Sequence, residues 1–281
     1  MSATLAIERY AQAEQFLAAA QDWLLETEVE NNLILGIALS AGARGPTVPP
    51  SYWAGVRGEG AIVGCACRTP PHRLVLSRLP APAVALLVGD VRSAYDSLNG
   101  VIGPTAEAET FAAAWTARNG GIWKTRMRMR LHELTKMTFA GPAPRGSLRQ
   151  AAATDLALAR EWVEAYVHDT GIDVPVEGMA QRLIEREQLF FWIDGGNPRA
   201  MVAATRPTRS GCSINTVYTP PRYRRMGYAT AAVAALSEAL LKGGRRFCCL
   251  YTDMANPTSN SIYAKVGYRP IRDEAELAFE P

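Results

Sequence analysis

The sequence predicts an α/β fold, a central mostly antiparallel mixed sheet flanked by helices, laid out twice along the chain. Three observations carry this expectation. After residue 147, segments of alternating apolar and polar residues interleave with segments of helical spacing in the order βααβββαβαββ. Before residue 140 the same coarse layout recurs, with two helices, several strands and then a strand–helix pair. Between them lies a Pro- and Gly-rich run, AGPAPRG at 140–146, which reads as a linker. The expected division is a domain over 1–140, a linker over 141–146 and a second domain over 147–281.

The bulk properties agree with two folded domains. The chain has 281 residues, of which 48% are apolar and 20% charged, enough for two buried cores. A net charge of +3 is no footprint of an obligate nucleic-acid partner. The five cysteines, Cys65, Cys67, Cys212, Cys248 and Cys249, have no metal-ligand spacing. They read as reduced core residues, which implies a reducing compartment. The start of the chain is acidic where a leader would be basic and apolar. No apolar run reaches the length of a membrane span. A cytoplasmic protein with no metal, nucleic-acid or membrane partner is the expectation; the oligomeric state is left open.

In the first half, helical spacing runs from Ile7 to Leu25 and again from Glu30 to Leu39. Strands are expected at Tyr52 to Val56, Ala61 to Arg68 and Leu74 to Leu76, with helices at Ala81 to Val88 and Ala106 to Arg118. From Trp123 to Leu131 the residues alternate, placing Lys124, Arg126, Arg128 and Arg130 on one face. That face reads either as a substrate or phosphate surface or as a solvated sheet face.

In the second half, Ser147 to Gln150 reads as a strand. Helices follow at Asp155 to His168, with Thr154 as N-cap, and at Glu177 to Glu187. Three strands span Leu189 to Asp194, Ala200 to Thr205 and Ser213 to Thr219, with a hairpin turn at 195–198. A helix from Ala229 to Lys242 closes at Gly243, and a strand covers Phe247 to Thr252. Pro257 to Val266 forms a short helix closed by Gly267, and a strand pair fills Tyr268 to Phe279.

Two segments carry chemistry. In Val217-Tyr-Thr-Pro-Pro-Arg-Tyr-Arg-Arg-Met-Gly-Tyr-Ala229 a strand ends, a turn rich in Pro and Arg follows, and a helix begins. Gly227 permits unusual dihedrals and close backbone approach. The open N–H groups of the first helical turn and the helix dipole favour an anion there, and Arg224 and Arg225 add charge. No Walker lysine follows, and the first glycine of a dinucleotide fingerprint is missing. In Asn256-Pro-Thr-Ser-Asn-Ser-Ile-Tyr-Ala-Lys-Val-Gly-Tyr268, Asn256 is a good N-cap and Pro257 suits the first helical position. Asn256, Asn260 and Tyr263 share a helix face.

Together the two segments resemble the GNAT superfamily of N-acetyltransferases. Arg224-Arg-Met-Gly-Tyr-Ala229 matches the family's Gln/Arg-x-x-Gly-x-Gly/Ala loop, with Ala229 in place of the commoner glycine. Asn256 to Tyr268 matches its later Asn…Tyr-x-x-x-Gly-Phe/Tyr segment. The resemblance implies acetyl-CoA as co-substrate and an amine as acceptor. It implies that the backbone of Val217, Tyr218 and Thr219 meets the pantetheine. The backbone amides of Arg225, Met226, Gly227, Tyr228, Ala229 and Thr230 would hold the pyrophosphate with the charge of Arg224 beside them, and Asn256 and Asn260 the pantetheine arm. Tyr263 would lie near the sulfur and protonate the leaving thiolate. The implied chemistry is direct attack by the amine in a ternary complex.

The general base is less legible. Asp253 either takes the amine proton or caps the turn into Asn256; Glu161, His168 and Glu187 are weaker candidates. His72 and His132 read as core or surface residues. In the first half the equivalent turn, Arg78-Leu-Pro-Ala-Pro82, lacks the loop pattern and its prolines have no N–H to donate. That half reads as a degenerate GNAT-like domain, so one acetyl-CoA per chain is expected. A non-catalytic acetyl-CoA sensor, or a tandem-type transferase using a longer acyl donor, is the alternative function.

Overall fold

The computed structural model describes residues 4–43, 49–139, 141 and 143–281; Ala140 and Pro142 of the expected linker lie outside the described residues. The first run of elements is β1 (Leu5–Tyr10), α1 (Ala13–Glu26), α2 (Asn32–Leu39), β2 (Tyr52–Gly58), β3 (Ala61–Arg68), β4 (Leu74–Leu76), α3 (Ala81–Ala94), β5 (Gly100–Pro104), α4 (Thr105–Asn119) and β6 (Ile122–Leu134). The second is β7 (Ser147–Gln150), α5 (Leu156–Thr170), α6 (Met179–Glu185), β8 (Leu189–Asp194), β9 (Asn197–Thr205), β10 (Gly211–Tyr218), α7 (Tyr228–Lys242), β11 (Phe247–Asp253), α8 (Pro257–Val266) and β12 (Arg269–Glu280). Both runs have the order βααβββαβαβ, so the repeated layout is present element for element.

Three expectations are corrected, and one segment left unassigned proves to be a strand. Ile7 to Tyr10 is strand rather than helix, because Leu5–Tyr10 pairs antiparallel with Tyr52–Gly58. Gly100–Pro104 is a strand although two glycines and a proline argue against one. Pairing with β4 and β12 overrides the weak local preference. Tyr268 to Phe279 holds one continuous strand, not a pair. Thr154 does not cap α5; Asp155 stands at that position, and its Oδ2 accepts the Ala152 N–H at 2.7 Å.

By contacts the chain forms two compact units. The first comprises Met1–Leu131, Thr252–Ala255 and Ile271–Pro281; the second comprises His132–Tyr251 and Asn256–Pro270. In the first unit the strands are ordered β1-β2-β3-β4-β5-β12-β6, and in the second β11-β10-β9-β8-β7. Within each, a single parallel contact, β4 with β5 and β10 with β11, interrupts an antiparallel series.

Each sheet is buried on two faces by its own helices. In the first unit Ala54, Val56, Ala66 and Leu74 meet Leu87, Val91, Phe111 and Trp115 of α3 and α4. The alternate residues Trp53, Cys65, Cys67 and Val75 meet Phe16, Leu24, Ile34 and Leu35 of α1 and α2. In the second unit Val202, Cys212, Ile214, Cys248 and Leu250 face Ala231, Ala232 and Leu236 of α7. Leu189, Phe191, Met201 and Ala203 face Trp162, Val163 and Leu183 of α5 and α6. Period-two alternation sorts the side chains between the layers. All five cysteines are free and buried, and burial pushes the Cys248 and Cys249 thiols up to about 12, so they are packing groups rather than nucleophiles.

The basic face of β6 is solvent-exposed and ion-paired rather than an open anion surface. Lys124 pairs with Glu280 at 2.6 Å, Arg126 with Glu276 at 3.0 Å, Arg128 with Glu109 at 2.5 Å and Arg130 with Asp273 at 2.6 Å. Three of the four partners lie on β12, which supplies an acidic row to match the basic one. These pairs are largely exposed and contribute little to stability individually, but they cancel the charge.

A more buried group of charges lies in the same unit. Arg272 donates to Glu30 Oε2 at 2.8 Å and to Glu274 Oε1 at 2.5 Å, while Arg78 reaches Glu30 at 3.2 Å. One guanidinium thus serves two carboxylates. Burial raises the Glu274 carboxyl to about 7 against the pull of Arg272, and Glu107 and Glu30 add repulsion. Between its ordinary value of 4.5 and about 7, the folded chain therefore binds a proton that the unfolded chain has lost. That contribution to stability is present at the acid end of the window and disappears as the pH rises through it. Glu274→Gln removes the titration. Thermal unfolding followed from pH 5 to pH 8 is expected to show a fall in Tm for the native chain that exceeds the variant's by more than about 2 °C.

Candidate active site

The second unit opens its sheet at one place. The parallel ladder of β10 and β11 pairs Gly211 with Phe247, Cys212 with Cys248 and Ser213 with Cys249, and extends no further among the described residues. On its other side β10 pairs Asn215 with Ala203 and then Tyr218 with Met201, so its register slips between them. Two residues, Thr216 and Val217, stand where Val202 alone stands opposite. Thr216 takes a left-handed φ of +50°. Such a bulge bends its strand and leaves backbone groups outside the ladder. Val217, singled out from the sequence for its backbone, lies in this slip.

Beyond Tyr218 the chain makes the loop into α7. Arg225 and Gly227 both have left-handed φ, +64° and +84°. Only Gly227 takes such a value without a steric cost. The Ala231 N–H bonds to Gly227 O at 3.0 Å and begins the helical ladder, so the N–H groups of Tyr228, Ala229 and Thr230 lie ahead of it. The helix is rich in alanine, a strong helix former, and the small side chains bring α7 close to the sheet. Together these features form an anion cradle. The buried Thr219 Oγ1, at the start of the loop, has no hydrogen-bond partner among the described residues. A polar atom left in this way beside a cradle fits a site built for a polar ligand.

Several expected residues prove to be structural in their side chains. Arg224 donates to Thr219 O at 3.0 Å and to Asp169 Oδ2 at 2.5 Å, fastening the loop to the end of α5. The Arg224 hydrogen bond, helped by His168, holds the Asp169 carboxyl below its ordinary range. Tyr218 is buried against Trp162, 5.9 Å between ring centres. Tyr228 donates its hydroxyl to Asp194 at 2.6 Å. Arg225 and Met226 are exposed on the loop, and Ala229 and Thr230 are half-buried.

In the second motif Asn256 caps α8, its Oδ1 accepting the Ser259 N–H at 3.1 Å. Asn260 and Tyr263 follow as half-buried residues, with the Tyr263 ring edge-on to Tyr268 at 6.0 Å. Burial raises the Tyr263 phenol above its ordinary value, and Tyr166 adds to the shift. Asp253 Oδ1 accepts the Ala255 N–H at 2.8 Å, a turn contact, and lies in the Thr252–Ala255 segment grouped with the first unit. Glu161, His168 and Glu187 have exposed side chains. His168 meets Asp169 at 3.3 Å, and Glu161 is close enough to Tyr218 to act on its phenol.

Sequence reasoning passed over Tyr166. Burial raises its phenol, which accepts a hydrogen bond from the Thr216 backbone at the bulge. The influence of Tyr166 on Tyr263 places two phenols at this opening. The signal was present but local: Ala159, Trp162, Val163 and Tyr166 form one helical stripe that ends in a hydroxyl.

The end of the parallel pair and the open N-terminus of α7 thus lie in one unit. Residues 156–268 match the family model described as the Acetyltransferase (GNAT) family. A GNAT-family acetyltransferase from Colwellia psychrerythraea aligns with a TM-score of 0.60 at 15% identity, over 98% of this chain and 99% of that one. A tandem GNAT protein from the clavulanic acid biosynthesis pathway aligns at 0.59 and 13% identity over 99% of each. A GCN5-related N-acetyltransferase from Sphaerobacter thermophilus aligns at 0.58 and 13% identity over 98% and 95%. At these identities the likeness is one of fold. No protein of curated function matches the sequence. The family model thus marks a GNAT acetyltransferase domain at residues 156–268, and the whole chain shares its fold with a tandem GNAT protein. That fold implies acyl transfer from an acyl-CoA to an acceptor. No helix is long and apolar enough to cross a membrane among the described residues.

The Arg224–Asp169 pair is exposed, so it orders the loop more than it stabilises the fold. Asp169→Asn is expected to leave Tm within about 2 °C. Amide exchange over residues 224–228 should quicken at least about threefold, with the centre of α7 unchanged.

Proposed function

We propose that the chain transfers an acetyl group from acetyl-CoA to a primary amine by direct attack in a ternary complex. The observation that carries this reading is the end of the β10–β11 ladder at Ser213 and Cys249, with the α7 cradle and Tyr263 in the same unit. An extended pantetheine arm needs unpaired strand backbone, and a pyrophosphate needs converging N–H groups. The second unit has both.

In this reading the N–H groups from Arg225 to Thr230 hold the pyrophosphate. Val217 to Thr219, with Asn256 and Asn260, position the thioester. The neutral amine attacks the carbonyl carbon, a C–N bond forms, and the C–S bond breaks. Backbone N–H groups of the Val217 strand stabilise the developing oxyanion. Tyr263 gives its proton to the departing sulfur. Its raised phenol keeps that proton throughout the neutral range. Asp253, three positions ahead of Asn256, takes the proton lost by the amine, directly or through water. Among the described residues, the turn into α3 of the first unit has prolines where α7 offers N–H groups. Pro80 caps α3 and Pro82 sits in its first turn, and Glu30 places a carboxylate on Arg78. We assign one acetyl-CoA to each chain.

Gly227→Val tests the cradle. An added Cβ meets only Pro144, at 3.5 Å, so the fold should survive. A β-branched residue resists the left-handed φ and projects into the cradle. Calorimetric titration with acetyl-CoA is expected to show most of the affinity lost, and undiminished binding would remove the loop from the site.

Tyr263→Phe tests the acid. With an acceptor found by screening amines for free-thiol release, kcat should fall by about 10²- to 10⁴-fold. Acetyl-CoA binding should stay within about threefold, since its main anchors are backbone groups. Near-native turnover with chemistry rate-limiting would make Tyr263 a packing residue.

A further inference from the structure

Beside the cradle, two arginines share one aromatic ring. The guanidinium carbon of Arg199 lies 4.5 Å from the centre of the Tyr223 ring, and that of Arg222 lies 4.8 Å from it. Arg222 and Tyr223 belong to the turn that leads into α7, and Tyr223 stands four positions ahead of Gly227. Arg199 arrives from β9 by a register slip. Ala200 pairs with Trp192 and Pro198 with Ile193, so Arg199 is the extra residue of a bulge. Bulges re-aim side chains, and this one turns a guanidinium onto Tyr223.

The arrangement gathers two cations on one ring. They lie within about 9 Å of each other. Neither is ion-paired among the described residues, and the buried Arg199 Nε has no hydrogen-bond partner there. Asp194 accepts from the Tyr228 hydroxyl and Asp169 pairs with Arg224, and neither carboxylate forms an ion pair with Arg199 or Arg222 among the described residues. The attraction of each guanidinium to the ring offsets part of their repulsion. A dianionic phosphate would offset the rest and satisfy the planar donors.

This inference rests on the acyl-CoA reading above. Coenzyme A has three phosphates, two in the pyrophosphate and one on the ribose 3′ position. The α7 N–H groups suit the pyrophosphate. We infer that Arg199, Tyr223 and Arg222 form the site for the 3′-phosphate, so that the protein selects coenzyme A over its dephosphorylated form.

Calorimetric titration of the full chain with coenzyme A and with dephospho-coenzyme A tests the assignment. The native protein is expected to prefer coenzyme A by roughly tenfold to a hundredfold. Arg199→Gln and Arg222→Gln should each cut that preference to about threefold or less. Tyr223→Leu, which keeps both charges but removes their platform, should reduce it as well and so separate a built site from diffuse positive charge. Binding of dephospho-coenzyme A reports that each variant is folded, and the exposed Arg222 carries the test if Arg199→Gln does not fold. An equal affinity for the two ligands in the native protein, or a preference that survives both arginine substitutions, overturns the 3′-phosphate site and leaves the acyl-CoA reading standing. A native protein that binds neither ligand overturns both.

Discussion

The backbone of β10 has to serve two partners that it cannot keep for its whole length. At Ser213 it is paired on both sides, to β9 and to β11. By Thr216 it has slipped one residue against β9, and its pairing with β11 has ended among the described residues. A one-residue slip changes which face each following side chain occupies. Tyr218 consequently enters the core with Trp162 and Met201, although simple alternation from Ile214 would send it to the α7 side. The same slip leaves backbone groups outside the ladder at Thr216 and Val217. The Tyr166 phenol on the Thr216 backbone shows that the fold treats these groups as ligands to be satisfied.

The loop after β10 inherits its start from that bend. Arg224 ties it back to Thr219 and across to Asp169, which allows Arg225 and Gly227 to hold their left-handed conformations without disorder in between. The Arg224 side chain therefore fastens the loop in this structure. Arg225 is exposed on the same loop, and Arg199 and Arg222 gather on Tyr223.

The two halves show how one layout supports different sites. Both place a parallel strand pair at the same point of the order, and both bury the sheet on two faces. In the first unit the turn before α3 is blocked by Pro80 and Pro82, and the Glu30, Arg272 and Glu274 cluster occupies buried space with protein charges. The second unit has Gly227 and an alanine-rich helix in the corresponding position. Backbone chemistry at one helix N-terminus separates them.

Much was legible in the sequence, because it depended on local patterns. Alternation and helical spacing located most strands and helices, and Asn256, Pro257 and Gly267 bounded α8 to the residue. The loop and the Asn–Tyr helix pointed to the family through spacing alone. Other features depended on partners distant in the chain. Leu5–Tyr10 is a strand because β2 lies beside it, and Gly100–Pro104 because β4 and β12 do. Three of the four cations of β6 pair with β12, Arg130 with a residue 143 positions away. The bulges at Thr216 and Arg199 are mismatches between two strands, so no single segment encodes them. Local sequence determined which elements and motifs exist, since propensity and capping act within a few residues. Tertiary pairing decided where the backbone is open, which arginines are spent, and which side chains meet at the site.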